Sequence, residues 1–357
     1  MYNWQHKNWP HFEFDDSLKE KELMDFMLKA GVLKGVVSAL PNDISNETIV
    51  QIMVAEAMKT SEIEGEMLSR IEVMSSIKNN LGISANPLAK DKNIIGLSRM
   101  LIDVRNSFSE PLTEKKILEW HKMLMENNKK VNAGVWRKHK EPMQVISGSV
   151  SNPTIHFEAP PSTQVAKEMK AFVDWYNHST IKNPLIKSAV AHIYFESIHP
   201  FEDGNGRVGR AIAEKALSQG LNSPVLFSIS RAIEANKKEY YTELKNGQSG
   251  LAINKWIEWF ISVIVEAQES SERMVRFTIK KVHFFDKYDS QINERQRKVI
   301  KKILEEEFFK GGMNTKKYIS ITGASKSTAT RDLQDLVEMN IFKSTGGGRS
   351  TSYEIIL

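Results

Sequence analysis

One run of twelve residues, His199–Arg210, constrains this chain more than any other stretch. It combines an imidazole, a carboxylate, a Gly-Asn-Gly turn and two arginines. Gly204 and Gly206 let the backbone adopt a positive φ and come close to a ligand, and their N–H groups can form a concave anion site. The apolar residues that follow have helical spacing, and a helix N-terminus itself favours anions. The run therefore predicts a phosphate-binding turn that opens a helix.

The charged side chains of this run suit phosphate chemistry. Asp203 is the expected Mg²⁺ ligand, because Mg²⁺ takes one or two carboxylates together with phosphate oxygens. An imidazole is the side chain most often used as a general base, so His199 can take that role. Arg207 and Arg210 are three residues apart on a helix and reach the same loop. The alternative is a surface turn beside a structural histidine, but so many functional residue types in one short run favour the functional interpretation.

The run resembles, without a mismatch, the signature of the Fic family, His-x-Phe-x-Asp/Glu-Gly-Asn-Gly-Arg-x-x-Arg. Residues 191–198 also resemble the helix that leads into that signature. Most Fic proteins transfer AMP from ATP to a Ser, Thr or Tyr hydroxyl of a protein. The resemblance implies a general base at His199, a core anchor at Phe201, a Mg²⁺ ligand at Asp203, an anion hole at Gly204, Asn205 and Gly206, and phosphate contacts from Arg207 and Arg210.

Composition sets the broad class. The chain has 357 residues, of which 41% are hydrophobic, as in an ordinary globular protein of two or three domains. It has no cysteine, which excludes disulfides, thiolate metal sites and a cysteine nucleophile. The N-terminus lacks the apolar core of a secretory signal, and no apolar run approaches the ~20 residues of a membrane helix. We therefore expect a cytoplasmic protein without a membrane partner.

Helical spacing of apolar residues covers most of the chain and predicts a mainly α fold. Residues 145–161 are the exception, because Ser-Gly and Asn-Pro turns separate short β-prone runs there and predict a hairpin. Fic proteins carry such a hairpin, the flap, over the active site, and its open edge can receive an extended target by strand addition. An ordinary surface hairpin is the alternative. The resemblance assigns the ATP-facing part of the flap to Ile155, His156, Phe157 and Glu158.

The same resemblance assigns the adenine and ribose pocket to a later helical stretch that contains the pair Tyr240-Tyr241. Tyr240 and Gln248 are the expected nucleotide contacts. The alternative is that these tyrosines are plain core residues, since their spacing is helical.

A second informative stretch is residues 60–65, Thr-Ser-Glu-Ile-Glu-Gly. Thr60 and Glu64 lie on one helix face, and Gly65 suits the left-handed residue that ends a helix. The stretch resembles the Fic inhibitory motif, Ser/Thr-x-x-x-Glu-Gly/Asn. Glu64 would then pair with Arg210 and deny that arginine to the γ-phosphate of ATP. The alternative is a solvated helix end. In some relatives the same glutamate positions water to remove AMP from a target.

The basic excess of the chain lies at its C-terminal end. Residues 271–357 contain 17 Lys and Arg against 11 Asp and Glu, whereas the formal net charge of the whole chain is only +5. Helix, helix-turn-helix and β-hairpin patterns follow in that order and resemble a winged helix. Its second helix would enter the DNA major groove, but winged helices also bind proteins. The residues suited to phosphate contacts are Ser325, Lys326, Ser327, Thr328, Arg331, Lys343 and Arg349.

Together these patterns predict three segments: a helical N-terminal extension with the inhibitory motif (1–110), an all-α Fic core with its flap (111–270) and a winged-helix domain (271–357). ATP and Mg²⁺ are the expected ligands. The expected partner is a protein with a Ser, Thr or Tyr hydroxyl, which includes the chain itself, and DNA and a homodimer are further open expectations. A DNA-binding regulator whose Fic core senses nucleotide is the alternative function, although a sensor needs neither His199 nor Asp203.

Overall fold

The computed structural model describes residues 1–84, 89–149, 152–305, 312–346 and 351–356. The chain divides into two compact units, Met1–Ser271 and Glu272–Leu357. Helices dominate the described ranges and strands occur only as two antiparallel pairs there, so the predicted mainly α class is confirmed. No helix within these ranges has both the length and the apolar character to cross a bilayer.

The first unit is built from helices and one hairpin. A short 3₁₀ helix, Asn3–Gln5, precedes α1. The hairpin pairs β1 (Gln144–Ser149) with β2 (Asn152–Glu158). The helices are α1 (Glu20–Ala39), α2 (Asn42–Ile63), α3 (Arg70–Asn80), α4 (Lys92–Asn106), α5 (Glu114–Met125), α6 (Ser162–His178), α7 (Pro184–Ile198), α8 (Asn205–Gly220), α9 (Ile229–Ala235), α10 (Lys237–Gly247) and α11 (Asn254–Tyr288), the last of which ends in the second unit.

Helix α7 is the centre of the first unit. Asn183 caps it by accepting the Leu185 N–H at 3.0 Å, and Pro184 occupies the first helical position, where its missing N–H costs nothing. All its residues except the half-buried Lys187 are buried, because two apolar clusters enclose it. Helix α8 packs against it so closely that a Cβ at Gly220 would lie 2.2 Å from the Pro184 side chain. The loop between α7 and α8 is thus held between two rigid helices.

Helix α2 brings the N-terminal segment to α8. It packs against α9, where the buried Glu56 carboxylate accepts hydrogen bonds from Ser228 and Ser230. At its other end Gly65 adopts a φ of +84°. The N–H groups of Gly65 and Glu66 then bond to carbonyls of the last helical turn at 3.0 and 2.9 Å, which is a Schellman termination. The structure therefore agrees with the prediction that Gly65 is the left-handed residue that ends the helix.

The second unit has the order of elements expected from its sequence. Helices α12 (Glu294–Glu305), α13 (Thr315–Thr322) and α14 (Lys326–Glu338) precede a hairpin of β3 (Phe342–Thr345) and β4 (Ser352–Ile355). Asp332, 1% exposed, joins them by accepting hydrogen bonds from Arg295 and from the Tyr318 hydroxyl at 2.9 Å. The expected contact residue Arg349 lies outside the described residues.

Helices α4 and α5 pack closely against each other, and Gly96 on α4 makes this close packing possible. A Cβ at Gly96 would lie 2.0 Å from the Met123 carbonyl, whereas one at Gly31 in α1 meets nothing within 4 Å. We expect Gly96→Ala to cost about 1–3 kcal/mol through overpacking. The matched change Gly31→Ala should stabilise by roughly 0.5–1 kcal/mol, since alanine is the better helix former. Urea unfolding of both variants checks this, and equal effects would contradict the packing.

Candidate functional site

The loop 199–204 joins α7 to α8 and contains the first candidate catalytic side chain. His199 is the residue after α7 and takes a left-handed conformation, with φ 49° and ψ 60°. Its N–H still bonds to the Phe195 carbonyl at 3.0 Å, so the helix ends there. The imidazole is 14% exposed. A left-handed non-glycine residue is strained, and such strain persists where the surroundings determine it.

Two contacts inside the loop fix its shape. The Asn205 side chain accepts the Phe201 N–H and donates to the Phe201 carbonyl, both at 2.9 Å. Phe201 is buried and stacks on His121 with ring centroids 3.7 Å apart, which agrees with its expected role as a core anchor. The Asn205 side chain is therefore engaged by the loop, and its backbone N–H at the start of α8 can face an anion.

His121, on α5, is a residue of the site that the sequence did not indicate. Its Nδ1 accepts the Gly134 N–H at 2.9 Å, so the proton lies on Nε2, which donates to the Asp203 carbonyl at 3.1 Å. Burial lowers the pKa of His121 to about 4. The neutral ring therefore holds the Asp203 carbonyl, directly before Gly204, through one hydrogen bond.

Arg137 is a second residue that the sequence did not indicate. It is 2% exposed, and its guanidinium donates to the carbonyls of His199 at 2.8 Å and Pro160 at 2.6 Å. Its own N–H bonds to the Pro200 carbonyl at 2.9 Å. Burial lowers the pKa of Arg137 to about 10, so it remains charged at neutral pH. One side chain thereby ties the end of α7 to the segment that follows the β1–β2 hairpin.

The N-terminus of α8 forms the anion end of the site. Gly204, with φ +83°, precedes the helix, and its N–H donates to the Asp203 carboxylate at 2.6 Å. The first N–H groups of a helix lack intrahelical partners and carry its positive dipole end. The Asp203 side chain is 51% exposed. Within the described ranges no three carboxylate or imidazole side chains cluster as a metal centre. A single exposed carboxylate is a donor that Mg²⁺ accepts when phosphate oxygens supply other ligands.

Arg207 is 5% exposed and contacts two acids. It donates to the Glu66 carboxylate at 2.8 Å and to Asp203 at 3.5 Å. The sequence did not indicate Glu66 as a partner. A cavity of about 290 Å³ borders this arginine.

Arg210 is 1% exposed and is held by the end of α2. It donates to the Thr60 hydroxyl and carbonyl, both at 2.9 Å, and to Glu64 Oε1 at 2.8 Å. Burial opposes the charge, but the Glu64 carboxylate favours it, and the pKa of Arg210 rises above its ordinary value. A Cβ at Gly206 would lie 2.3 Å from Glu64 Oε1. The carboxylate therefore rests on the first turn of α8.

The hairpin lies where the flap was expected along the chain, with its tip residues 150 and 151 outside the described ranges. Ile155 is 45% exposed, whereas Phe157 is buried against the Tyr2 ring with centroids 5.1 Å apart. His156 is half-buried. Glu158 accepts a hydrogen bond from Gln144 at 2.8 Å. Of the four expected flap contacts, Ile155 is thus the exposed side chain and Phe157 the anchor.

The two residues expected in the adenine pocket are buried. The Tyr240 hydroxyl bonds to His192 at 2.9 Å, and the Gln248 amide donates to the Glu196 carbonyl at 3.2 Å. Tyr241 is 42% exposed, and its hydroxyl donates to the Ile63 carbonyl at 3.2 Å. Contact of Tyr240 and Gln248 with a nucleotide stays a prediction, and Tyr241 is the more accessible tyrosine.

Comparison with known sequences agrees with this geometry. Residues 111–217 match the model of the Fic/DOC family, and residues 2–83 match a domain of unknown function, DUF4172. Similar curated proteins include the protein adenylyltransferase Fic of Drosophila willistoni, 26% identical over 53% of this chain, and the protein adenylyltransferase fic-1 of Caenorhabditis elegans, 26% identical over 57%. The matches cover 35% and 39% of those proteins, so the chain spans little more than a third of their length.

Solved structures show the same fold. A Fic family protein from Desulfovibrio desulfuricans G20 aligns over 97% of this chain and 98% of its own, with a TM-score of 0.57 and 18% identity. Fic-1 from C. elegans aligns over 75% of this chain and 74% of its own, with a TM-score of 0.53 and 21% identity. The signature and the loop geometry agree with the sequence match, which identifies residues 111–217 as similar to the Fic/DOC family.

Proposed function

We propose that this protein transfers AMP from ATP to a Ser, Thr or Tyr hydroxyl of a protein and that Glu64 restrains the transfer. The observation that carries the proposal is the set of groups around the start of α8. A partly exposed imidazole, an exposed carboxylate, two buried arginines and free helix N–H groups converge on one loop. Relatives that are 26% identical and named protein adenylyltransferase support the same activity.

The residues of the loop divide the work of the reaction. His199 accepts the proton of the target hydroxyl, whose oxygen forms a bond to the α-phosphorus while the bond to the bridging oxygen of the β-phosphate breaks and pyrophosphate leaves. The N–H groups of Asn205 and Gly206 stabilise the negative charge of the phosphates. The Gly204 N–H, which donates to the Asp203 carboxylate at 2.6 Å, would join them only after it leaves that contact. Asp203 would hold Mg²⁺, which supplies positive charge to the phosphate oxygens. Arg207 neutralises part of the pyrophosphate charge.

The hairpin provides a place for the target. Its strands β1 and β2 pair only with each other among the described residues, so an outer edge is free for an extended segment. Strand addition there would present a hydroxyl to His199. The segment is recognised mostly by its backbone, so the target can be another protein or another copy of this chain. A cytoplasmic location and a homodimer stay predictions.

The contact between Glu64 and Arg210 supports restraint by the N-terminal segment. Arg210 has two of its nitrogens bound by Thr60 and Glu64, so the γ-phosphate of ATP must displace Glu64 to reach it. Without that contact the triphosphate is not held for in-line attack on its α-phosphorus. A carboxylate beside the reacting phosphate also suits the reverse reaction, in which it positions water to remove AMP from the target.

A second function is supported by the second unit. Helix α14 follows α13 after a short turn, Ser325 caps it by accepting the Thr328 N–H at 3.2 Å, and Lys326 and Arg331 on its N-terminal half are exposed. In helix-turn-helix proteins the N-terminal residues of the second helix contact DNA. Lys343 already pairs with Glu354 at 3.0 Å, so the helix is the stronger candidate than the hairpin. We infer that this unit binds DNA, and a protein-binding role is the alternative.

Loss of the base is the direct test of the catalytic loop. His199→Ala should lower AMP transfer by roughly 10²–10⁴-fold, because the target hydroxyl keeps its proton. ATP affinity should be retained, since the phosphate contacts remain. Intact-mass detection of AMP addition and calorimetry with ATP measure the two quantities. His178→Ala, an exposed histidine on α6, is the matched control and should transfer normally. Normal transfer by the His199 variant would remove it from the mechanism.

Release of Arg210 tests the restraint. Glu64→Gly should raise self-modification by about 5–150-fold, the range of couplings worth 1–3 kcal/mol. Glu62→Ala removes a carboxylate two positions earlier that contacts Lys59 and not Arg210, keeps a good helix former in the last turn of α2, and should not activate. Arg210→Ala should also fail to activate, because it removes the γ-phosphate contact itself. If Glu64→Gly changes neither ATP affinity nor self-modification, Glu64 is only a helix end.

DNA binding is tested with the full chain and a mixed-sequence duplex. Affinity should fall steeply with salt, and the double variant Lys326→Ala/Arg331→Ala should reduce the salt slope by about two, one for each lost phosphate contact. Lys238→Ala/Lys245→Ala removes the same charge from α10 and is the control. Absence of binding to the duplex at low salt would favour the protein-binding role. AMP transfer should be unchanged in both double variants.

A further inference from the structure

A buried carboxylate next to His199 has no part in the mechanism so far. Glu196 lies in the last turn of α7, three residues before His199, and its side chain is 6% exposed. Helix α8 makes room for it at Gly209, where a Cβ would lie 2.5 Å from Glu196 Oε1. A buried carboxylate is costly unless it is paired, so its retention at this point needs a partner.

Glu196 is ionised at neutral pH. Burial opposes ionisation, but the contact with His199 and the positive charge of Arg210 outweigh burial and lower the pKa of Glu196. The Oε1 atom has no hydrogen-bond partner among the described residues. The charge is therefore available to a neighbouring donor.

The donor that faces this carboxylate is His199. Glu196 Oε2 lies 3.6 Å from His199 Nδ1, and that nitrogen is buried without a hydrogen-bond partner in the described part of the chain. The separation is just outside hydrogen-bond range. A shift of either side chain by a few tenths of an ångström would bring the two atoms into hydrogen-bond range. Catalytic hydrogen bonds often shorten in this way when substrate binds.

The geometry points to Glu196 as the positioning residue of His199: it accepts the Nδ1–H and so leaves the lone pair of Nε2 for the target hydroxyl. The inference rests on the proposed AMP transfer and deepens it. When the hydroxyl proton moves to Nε2, the ring becomes an imidazolium, and the adjacent carboxylate stabilises that charge. A carboxylate that orients a histidine in this way is the third member of the catalytic triads of hydrolases, here combined with a phosphate acceptor.

This arrangement also explains the backbone strain at His199. The left-handed conformation at the end of α7 puts the imidazole back beside its own helix, within reach of the residue three positions earlier. Arg137 holds the same peptide through the His199 carbonyl. Backbone and side chain are thus fixed from two directions, so that one ring nitrogen faces the protein and the other faces the site.

The tautomer can be observed in the unaltered protein, which avoids any question of folding. With ¹⁵N-labelled histidine, the His199 resonances should show Nδ1 protonated and Nε2 unprotonated, and the Nδ1–H proton should be protected from exchange with water. His199→Gln identifies the resonances by their loss. A ring protonated on Nε2 would overturn the inference, whatever the activity of the protein is.

Kinetics test the consequence in the Glu64→Gly background, where transfer is fast enough to measure. Glu196→Gln keeps the shape and loses the charge, so kcat should fall by roughly 10²–10⁴-fold, while KM for ATP should stay within about twofold because phosphate binding is untouched. Glu196→Asp should recover part of the loss. Glu239→Gln, an exposed acid on α10, should have no effect.

The outcomes separate the two proposals. If Glu64→Gly transfers no AMP, the proposed function fails and the tautomer measurement alone decides the role of Glu196. If Glu64→Gly transfers AMP and Glu196→Gln does so at the same kcat, the positioning role is overturned. If Glu196 had a purely structural role, Glu196→Gln would lower the melting temperature and alter kcat and KM together. The same ring nitrogen of His199 would then be protonated in this variant and in the unaltered protein.

Discussion

The arrangement of the candidate site depends on one buried guanidinium, that of Arg210. Arg210 is almost completely removed from water, and an unpaired charge in such a place costs several kcal/mol. It must therefore always have an anionic partner, and in this structure the partner is Glu64 at 2.8 Å. Gly206 leaves the space that this carboxylate occupies, since a Cβ there would lie 2.3 Å from Glu64 Oε1. Under the proposed restraint, the nucleotide and the N-terminal segment compete for this buried charge.

The loop that performs the chemistry is rigid for reasons that lie outside it. His121 holds the Asp203 carbonyl, Arg137 holds the His199 carbonyl, and Asn205 closes the loop on Phe201. Each of these side chains is buried and forms its hydrogen bonds with backbone atoms. Preorganised donors of this kind stabilise developing charge without reorganisation when the reaction occurs. The side chains proposed for catalysis are thus supported by other side chains that bond to the backbone of the loop.

The sequence predicted those parts of the site whose function follows from neighbours along the chain. The Gly-Asn-Gly turn and the left-handed Gly65 are of this kind, since each depends on local conformation. The anchor role of Phe201 was instead implied by the resemblance to the Fic family, and it stacks on the distant His121. His121 and Arg137 were missed, because they meet the loop through packing of helices and segments that are some sixty to eighty residues away. Glu196 carried a weak local signal, three residues before His199, but its burial depends on Gly209 of the next helix. The choice between Tyr240 and Tyr241 likewise depends on which one packs against His192.

If Glu64 restrains transfer as proposed, its position at the end of α2 limits how that restraint can be relieved. The glutamate is tethered to the domain that it acts on, and α2 is fixed to α9 by the buried Glu56. A tethered group acts at an effective concentration that is set by geometry, in the millimolar range for short connections, and not by how much protein is present. Dilution or synthesis of a separate inhibitor cannot alter this balance. Relief must come from fraying of the last turn of α2 or from a ligand that outcompetes the carboxylate locally.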